Sequence, residues 1–361
     1  MAITDQNYFD IALLILTSII ASVIVTPLSV LLAKKLNIID YPGRSSHHIH
    51  KNPTPRAGGI SILISITILF LLFSLWQESE IIKLLIPSII IFGFGLWDDR
   101  FGMDAPVKLL GQMIAIVILI YFDIRVQFLE NQDFFIQFNS FSAYWIDIGI
   151  TVFWMVGITN AFNMVDSMDS LAPGLARILS AFFFLITLIS KQVPLIYLSG
   201  IIFGISWGIN YFNAPPAKTF LGDSGAQLLG FLLAAIAIVY YPQSSSQQSS
   251  WFVPILLFSV PIFDTTLVTI SRIRRGEPFY KANQDHTYHR LIAFGWDSSR
   301  AVASMHVYSL LSSLSAIIAL YIAPIFANII FSVWMFVFFG LIFFFERKFQ
   351  LVNTDSQNSA M

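Results

Sequence analysis

The sequence predicts an all-α polytopic membrane protein with about eleven transmembrane helices, the N-terminus outside and the C-terminus cytoplasmic. Three observations carry this. The chain is 56% hydrophobic and only 11% charged, against about 25% charged in soluble proteins, and its mean hydropathy is positive. Eleven apolar runs approach the roughly 20 residues that cross a bilayer. Lys and Arg are concentrated in the loops after odd-numbered runs.

In order, the runs lie near 10–32, 57–77, 81–97, 106–124, 142–159, 175–191, 193–211, 225–242, 251–271, 301–322 and 324–345, the third and fifth being short or interrupted. The opening MAITDQNYFD carries two acids and no Lys or Arg. That is the wrong start for a cleaved signal peptide, so the first run is expected to stay as an anchor. The longest polar connection, about 272–300, leaves no room for a soluble domain, and 1–361 is expected to be a single membrane domain. The polar end of the chain, 350–361, is expected to be a disordered tail. The absence of cysteine excludes disulfides, thiol catalysis and cysteine metal sites.

Loops after odd-numbered runs hold Lys34, Lys35, Arg44, Lys51, Arg56, Arg100, Lys108, Lys218, Arg272, Arg274, Arg275, Lys281, Arg290 and Arg300, and those after even-numbered runs only Lys83, Arg125 and Lys191. The basic loops are therefore cytoplasmic. Each also carries a compact polar motif, whereas the outer loops carry none. A transporter would place its ionisable groups near the bilayer midplane. Groups gathered on one face favour a reaction site at the membrane surface.

The central motif is NAFNMVDSMDSLAPG, 160–174, where Asn160, Asn163, Asp166 and Asp169 recur every three residues. On a helix that spacing stacks them on one side. Such groups at a membrane boundary are costly unless a cation, phosphate or partner uses them; a polar loop closed by Pro173 and Gly174 is the plain alternative. The first loop, DYPGRSSHHIHKNPTPRAGGI, is basic and turn-rich, and Gly58–Gly59 would let its backbone approach a phosphate. The second, GLWDDRFGMDAPVKLLGQ, sets Asp98 beside Asp99, a pair that needs a compensating cation such as Mg²⁺; one of the two could instead serve as a base, and a charged helix end is the simplest account. In the fourth, GDSGAQLLG, Asp223 is either a helix cap or a metal ligand. The fifth follows Asp264 and reads DHTYHRL, placing His286, His289 and Arg290 together. These suit a diphosphate better than zinc, for which no H-E-x-x-H or cysteine pair exists.

In this order and spacing, PTPRAGGI, DDRFG, NAFNMVDSMDSLA, GDSGAQLLG and DHTYHRL resemble the polyprenyl-phosphate N-acetylhexosamine-1-phosphate transferase family across nearly the whole chain. That resemblance implies an enzyme of the bacterial inner membrane. It would transfer GlcNAc-1-phosphate from a UDP-sugar to undecaprenyl phosphate, releasing UMP, at the first membrane step of O-antigen or another envelope polysaccharide. It implies Mg²⁺, with Mn²⁺ as a substitute, on Asp223 and Asn163. Asp98 and Asp99 would orient or deprotonate the lipid phosphate or share the metal. Arg56, Lys108, Asn160, Asp166, Asp169, Asp264, His286, His289 and Arg290 would bind substrate. Its partners are the two substrates and the bilayer, with no nucleic acid; a homodimer is compatible with it.

The chain departs from the family pattern at Ser167 and Ser170, where glycine is usual, and at Tyr288, where histidine is common. A modified deoxy-N-acetylhexosamine is therefore an alternative sugar. Phospho-MurNAc-pentapeptide transfer is disfavoured because the fifth loop lacks consecutive histidines. A CDP-alcohol phosphotransferase would need a second close Asp pair, which is absent before Asp223.

Overall fold

A computed structural model describes residues 5–42, 52–129, 139–242, 251–277 and 285–358. Arg44, His47, His48, His50, Lys51 and Lys281 lie outside them. The described residues form two compact units, one within Met1–Tyr41 and Asn52–Ser244, the other within Pro42–Lys51 and Ser245–Met361.

The first unit runs α1 (Asp5–Lys35), β1 (Ile39–Asp40), β2 (Thr54–Pro55), α2 (Gly58–Leu72), a 3₁₀ turn (Leu75–Gln77), α3 (Ser79–Phe101), α4 (Ala105–Tyr121), α5 (Ser140–Val165), α6 (Leu171–Ile189), α7 (Val193–Asn213) and α8 (Gly222–Val239). The second contains α9 (Phe252–Leu257), α10 (Ser259–Arg274), α11 (Thr287–Ala293), α12 (Ser298–Tyr321) and α13 (Pro324–Asn358). Among the described residues the architecture is all-α apart from one antiparallel pair of two-residue strands, β1–β2, and a parallel bridge between Arg56 and Phe220. Helices are the solution a bilayer imposes, because each satisfies its own backbone polar groups.

Every apolar run forms helix within the described residues. Among the described residues eight helices, α1, α3, α5, α6, α7, α8, α12 and α13, are long and apolar enough to cross a membrane, while α2 and α4 are apolar but shorter. The run near 251–271 breaks at Phe258 into α9 and α10. Pro261 supplies the reason: it has no N–H to offer the Leu257 carbonyl, so the helix cannot pass through that turn unbroken. Conversely, the third and fifth runs, short in hydropathy, are long in structure, because polar residues complete the last turns of α3 and α5. Helix α13 continues to Asn358, into the stretch read as a tail.

In the first unit α8 is buried along nearly its whole length and packs against α3, α5 and α2; α7 packs between α1 and α6. The N-terminus of α8 is consequently an interior feature, and the site is built around it.

Candidate active site

Asp98 and Asp99 occupy the last turn of α3, which ends where Gly102 turns to φ 76° and its N–H bonds the Asp98 carbonyl. Asp99 then reaches across to α8. Its Oδ1 accepts the Asp223 N–H at 2.8 Å, and its Oδ2 accepts the Ser224 N–H at 3.0 Å and the Ser224 hydroxyl at 2.6 Å. A helix start leaves N–H groups without partners and carries partial positive charge; a carboxylate from another helix satisfies both. Asp223 and Ser224 therefore do not cap α8, as their sequence allowed, and no side chain at Leu221 does so either.

This approach depends on missing side chains. A Cβ on Gly222, at φ 74°, would fall 2.7 Å from Asp99 Oδ2; one on Gly95 would fall 2.5 Å from Ser224 Cα, and one on Gly59 2.2 Å from Ser224 Oγ. Gly58 and Gly59, expected to admit a phosphate, instead admit the 221–225 backbone. The first loop is hydrogen-bonded to this segment: Phe220 N–H donates to Pro55 O at 2.9 Å, and the N–H groups of Gly58 and Gly59 donate to Phe220 and Leu221 O at 3.0 and 3.1 Å. That seam delivers Arg56.

Its guanidinium lies 3.4 Å from Asp40, 3.6 Å from Asp99 and 3.9 Å from Asp223. Burial pulls the Arg56 pKa down, but the three carboxylates outweigh it and the pKa is raised. Lys108, in the first turn of α4, pairs with Asp98 and stands 3.4 Å from Asp223 Oδ1. Asn163, near the end of α5, donates from Nδ2 to Asp223 Oδ1 at 2.6 Å. Asp166 is the residue that closes α5. Burial, then the charges of Asp223 and Asp99, push its carboxyl well above the usual range. Asp169 sits half-buried in the turn that follows.

Asn160 is placed differently from expectation. Its amide exchanges bonds of 2.8 and 3.1 Å with Gln112 and donates to Val156 O at 2.8 Å, so both its N–H groups are spent between helices. Gln112 also donates to Gln227 at 3.1 Å. Neither glutamine was singled out from sequence, although each lies four residues after a site residue, Lys108 or Asp223, on the same helical face. Asn213 was missed too. Its Oδ1 accepts the Ser170 N–H at 2.7 Å, and its Nδ2 donates to Thr219 O at 3.0 Å, tying the Asp169 turn to the segment that leads into α8.

The second unit holds the fifth motif. Asp264 Oδ2 bonds His286 Nδ1 at 2.8 Å and its Oδ1 accepts the Thr287 N–H at 2.7 Å. Asp264 thus holds His286 and the start of α11. Arg290 is fully buried; it donates to the Asp285 carbonyl at 2.9 Å and to Glu346 at 2.6 Å, and it lies over the Phe349 ring at 4.7 Å. Through Nε and Nη1 it pins α11 to α13, while its buried Nη2 has no hydrogen-bond partner among the described residues. Asp285 is gripped by Arg272 at 2.9 Å and Arg275 at 2.6 Å. Burial alone would raise its pKa, but those guanidinium groups hold it below the usual range. His289 and Tyr288 bond each other through Nε2 and the hydroxyl at 2.7 Å.

Among the described residues no three His, Cys, Asp or Glu side chains form a closed metal cage. Among the described residues, the α3–α8 cluster instead gathers Asp40, Asp98, Asp99 and Asp223 around Arg56 and Lys108.

Comparison with known proteins gives this arrangement a family. Residues 81–241, which contain Asp98, Asp99, Lys108, Asn163 and Asp223, match glycosyl transferase family 4. The chain is 30% identical to a probable undecaprenyl-phosphate N-acetylglucosaminyl 1-phosphate transferase of Bacillus subtilis, over 87% of this chain and 86% of that protein. It is 28% identical to a decaprenyl-phosphate N-acetylglucosaminephosphotransferase of Mycobacterium leprae, over 83% and 81%. It is 29% identical to a phospho-N-acetylmuramoyl-pentapeptide-transferase of Halalkalibacterium halodurans, over 84% and 96%. The chain therefore belongs to glycosyl transferase family 4, the polyprenyl-phosphate N-acetylhexosamine-1-phosphate transferases that its motifs resemble.

Proposed function

We propose that the protein transfers N-acetylglucosamine 1-phosphate from UDP-N-acetylglucosamine to undecaprenyl phosphate in a bacterial inner membrane, opening the synthesis of O-antigen or another envelope polysaccharide. An oxygen of the lipid phosphate bonds to the phosphorus that bears the sugar. That phosphorus loses its bond to the bridging oxygen, which leaves with UMP. A phosphomonoester has its second pKa near 6, so the attacking oxygen is already largely ionised at neutral pH. The step then needs positioning and charge compensation more than a base.

The observation that supports this most is the convergence of Asp98, Lys108, Asn163 and Asp223 from four helices. The oxygen-rich, net negative donor set fits Mg²⁺, which takes one or two carboxylates and fills its shell with water and substrate phosphate. Mg²⁺, or Mn²⁺ in its place, would be held by Asp223 with Asp98 and Asn163 and would offset the charge on the diphosphate. Lys108, anchored by Asp98, donates to a phosphate oxygen, and Arg56 adds its forked donors from the first loop. Asp99 holds the start of α8 and so the position of Asp223; its oxygens are spent there. Asp166 and Asp169 serve the nucleotide side. In the second unit His286, oriented by Asp264, and His289 are the residues that the motif resemblance assigns to substrate.

The names of two relatives support N-acetylglucosamine as the sugar. The serines at 167 and 170 keep a modified deoxy-N-acetylhexosamine as the second reading. The test supplies the purified protein with labelled UDP-N-acetylglucosamine, undecaprenyl phosphate and Mg²⁺, then a panel of UDP-sugars. A lipid-linked product with stoichiometric UMP is expected; no product from any UDP-sugar overturns the reading.

A further inference from the structure

One cation of the first unit takes no part in the site. Arg177 lies on α6, a membrane-crossing helix, and within 171–180 it is the one residue that is not buried. Its guanidinium stands 4.4 Å from the centre of the Trp207 ring on α7, and Trp207 is 46% exposed. No carboxylate among the described residues acts on it. Arg56 and Lys108, by contrast, are each shared among carboxylates. An ionisable group inside a membrane segment needs a partner, and here the protein supplies only an aromatic face.

The depth of the pair indicates what that partner is. Arg177 follows the start of α6 at Leu171, and Trp207 precedes the end of α7 at Asn213, by six residues each. At about 1.5 Å per residue both lie about 9 Å inside the same end. Cα–Cβ bonds tilt toward a helix N-terminus, so the Arg177 side chain leaves its backbone toward that end, where headgroups lie. One turn beyond Trp207, Tyr211 is 68% exposed, and Lys218 places its ammonium 5.8 Å from that ring. Two cations, each on an aromatic, thus mark one outer edge of α6–α7 at the depth where Trp and Tyr anchor proteins.

We infer that this edge binds the headgroup of an anionic phospholipid, its phosphate taken by the forked donors of Arg177 and its charge shared with Lys218. Trp207 forms its wall. Arg177 makes no ion pair with the carboxylates around Asp223.

Native mass spectrometry of the detergent-solubilised full chain, titrated with dioleoylphosphatidylglycerol and, separately, dioleoylphosphatidylcholine, tests this alongside thermal melting. Wild type should retain phosphatidylglycerol selectively and melt higher in its presence. Arg177→Gln should bind it about tenfold more weakly, as expected when a charge-assisted contact is lost, and lose the lipid-dependent rise while melting normally in neutral detergent. Arg177→Lys should fall between, and Lys218→Gln should lose less. Equal phosphatidylglycerol binding by wild type and Arg177→Gln overturns the inference. So does displacement of that lipid by undecaprenyl phosphate together with a raised KM for the acceptor in Arg177→Gln, which would make the edge part of the substrate path.

Discussion

The two units treat charge in opposite ways. Around the start of α8, carboxylates outnumber cations, and Arg56 and Lys108 remain 23% and 27% exposed. Around α11, Arg272 and Arg275 close on Asp285, and Arg290 and Glu346 close on each other, with Arg290 fully buried. Under the proposed function the first cluster awaits a cation and a ligand; in the second the carboxylates of Asp285 and Glu346 are paired, although the buried Nη2 of Arg290 has no hydrogen-bond partner among the described residues. Under that function, charged residues of the same kinds thus serve chemistry around α8, while around α11 Asp285, Arg290 and Glu346 serve mainly architecture. The discriminator is whether the charges are balanced and closed off, not which residues are present.

The largest effect should follow from removing the charge that α8 presents. Asp223→Asn is expected to lower turnover about 10³-fold, the scale of losing a central electrostatic contact, with normal membrane insertion and melting. Turnover near wild type would remove Asp223 from the metal and dissolve the contrast.

Arg290→Ala should act through stability. Breaking a buried pair by removing one partner costs about 3–5 kcal/mol, so a large drop in melting temperature is expected. Replacing Arg290 and Glu346 together by apolar residues should recover much of it. If Arg290→Ala instead melts normally and raises the KM for the UDP-sugar, the second cluster is a binding site after all.

Much of this was legible in the sequence. The apolar runs and the all-α class follow from composition, and the grouping of Asp98, Lys108, Asn163 and Asp223 was implied by the family resemblance of their motifs. The structure differs where tertiary contacts decide. Hydropathy ended α3 and α5 early because the site residues themselves form their last turns. Glu346 was invisible, since its partner Arg290 lies 56 residues away. Asn160 and Asn163 share a spacing and a residue type, yet Gln112 claims one and Asp223 the other. Periodicity places side chains on a face; it does not say what waits opposite.

Asp99→Asn should be milder than Asp223→Asn. It leaves one of the three donors on Asp99 poorly satisfied, at about 1–3 kcal/mol. We expect lower stability and a higher Mg²⁺ requirement with an unchanged shape of the pH–rate profile. Loss of the acidic limb of that profile at normal stability would make Asp99 a base instead.

The two clusters should also part in pH. Asp285 has a depressed pKa, so its contribution is present above the carboxyl's unfolded value and is lost as pH falls through the folded one. Asp166 has a raised pKa, so its contribution is present below the unfolded value and is lost as pH rises through the folded one. Asp166→Asn should therefore raise the melting temperature at neutral pH while lowering activity, and Asp285→Asn should lower the melting temperature there and flatten its fall in acid. Melting curves across pH 3–8 check both; a destabilised Asp166→Asn at neutral pH would place Asp166 with the closed cluster.

The smallest effect concerns the turn between α5 and α6. Ser170 stands at φ 66°, in the left-handed region, where a side chain costs about 1 kcal/mol and glycine almost nothing. That is the position where glycine is usual in the family pattern. Its N–H still bonds Asn213, which keeps the turn closed without glycine's help. Ser170→Gly should then raise stability by less than about 1 kcal/mol, since relief of backbone strain is partly offset by glycine's freedom in the unfolded chain. The relative rates with different UDP-sugars are the sharper readout. A shift in sugar preference without a change in the Mg²⁺ requirement would locate the serine on the sugar side of the open cluster. A change in both would mean that this turn also sets Asn163 against Asp223.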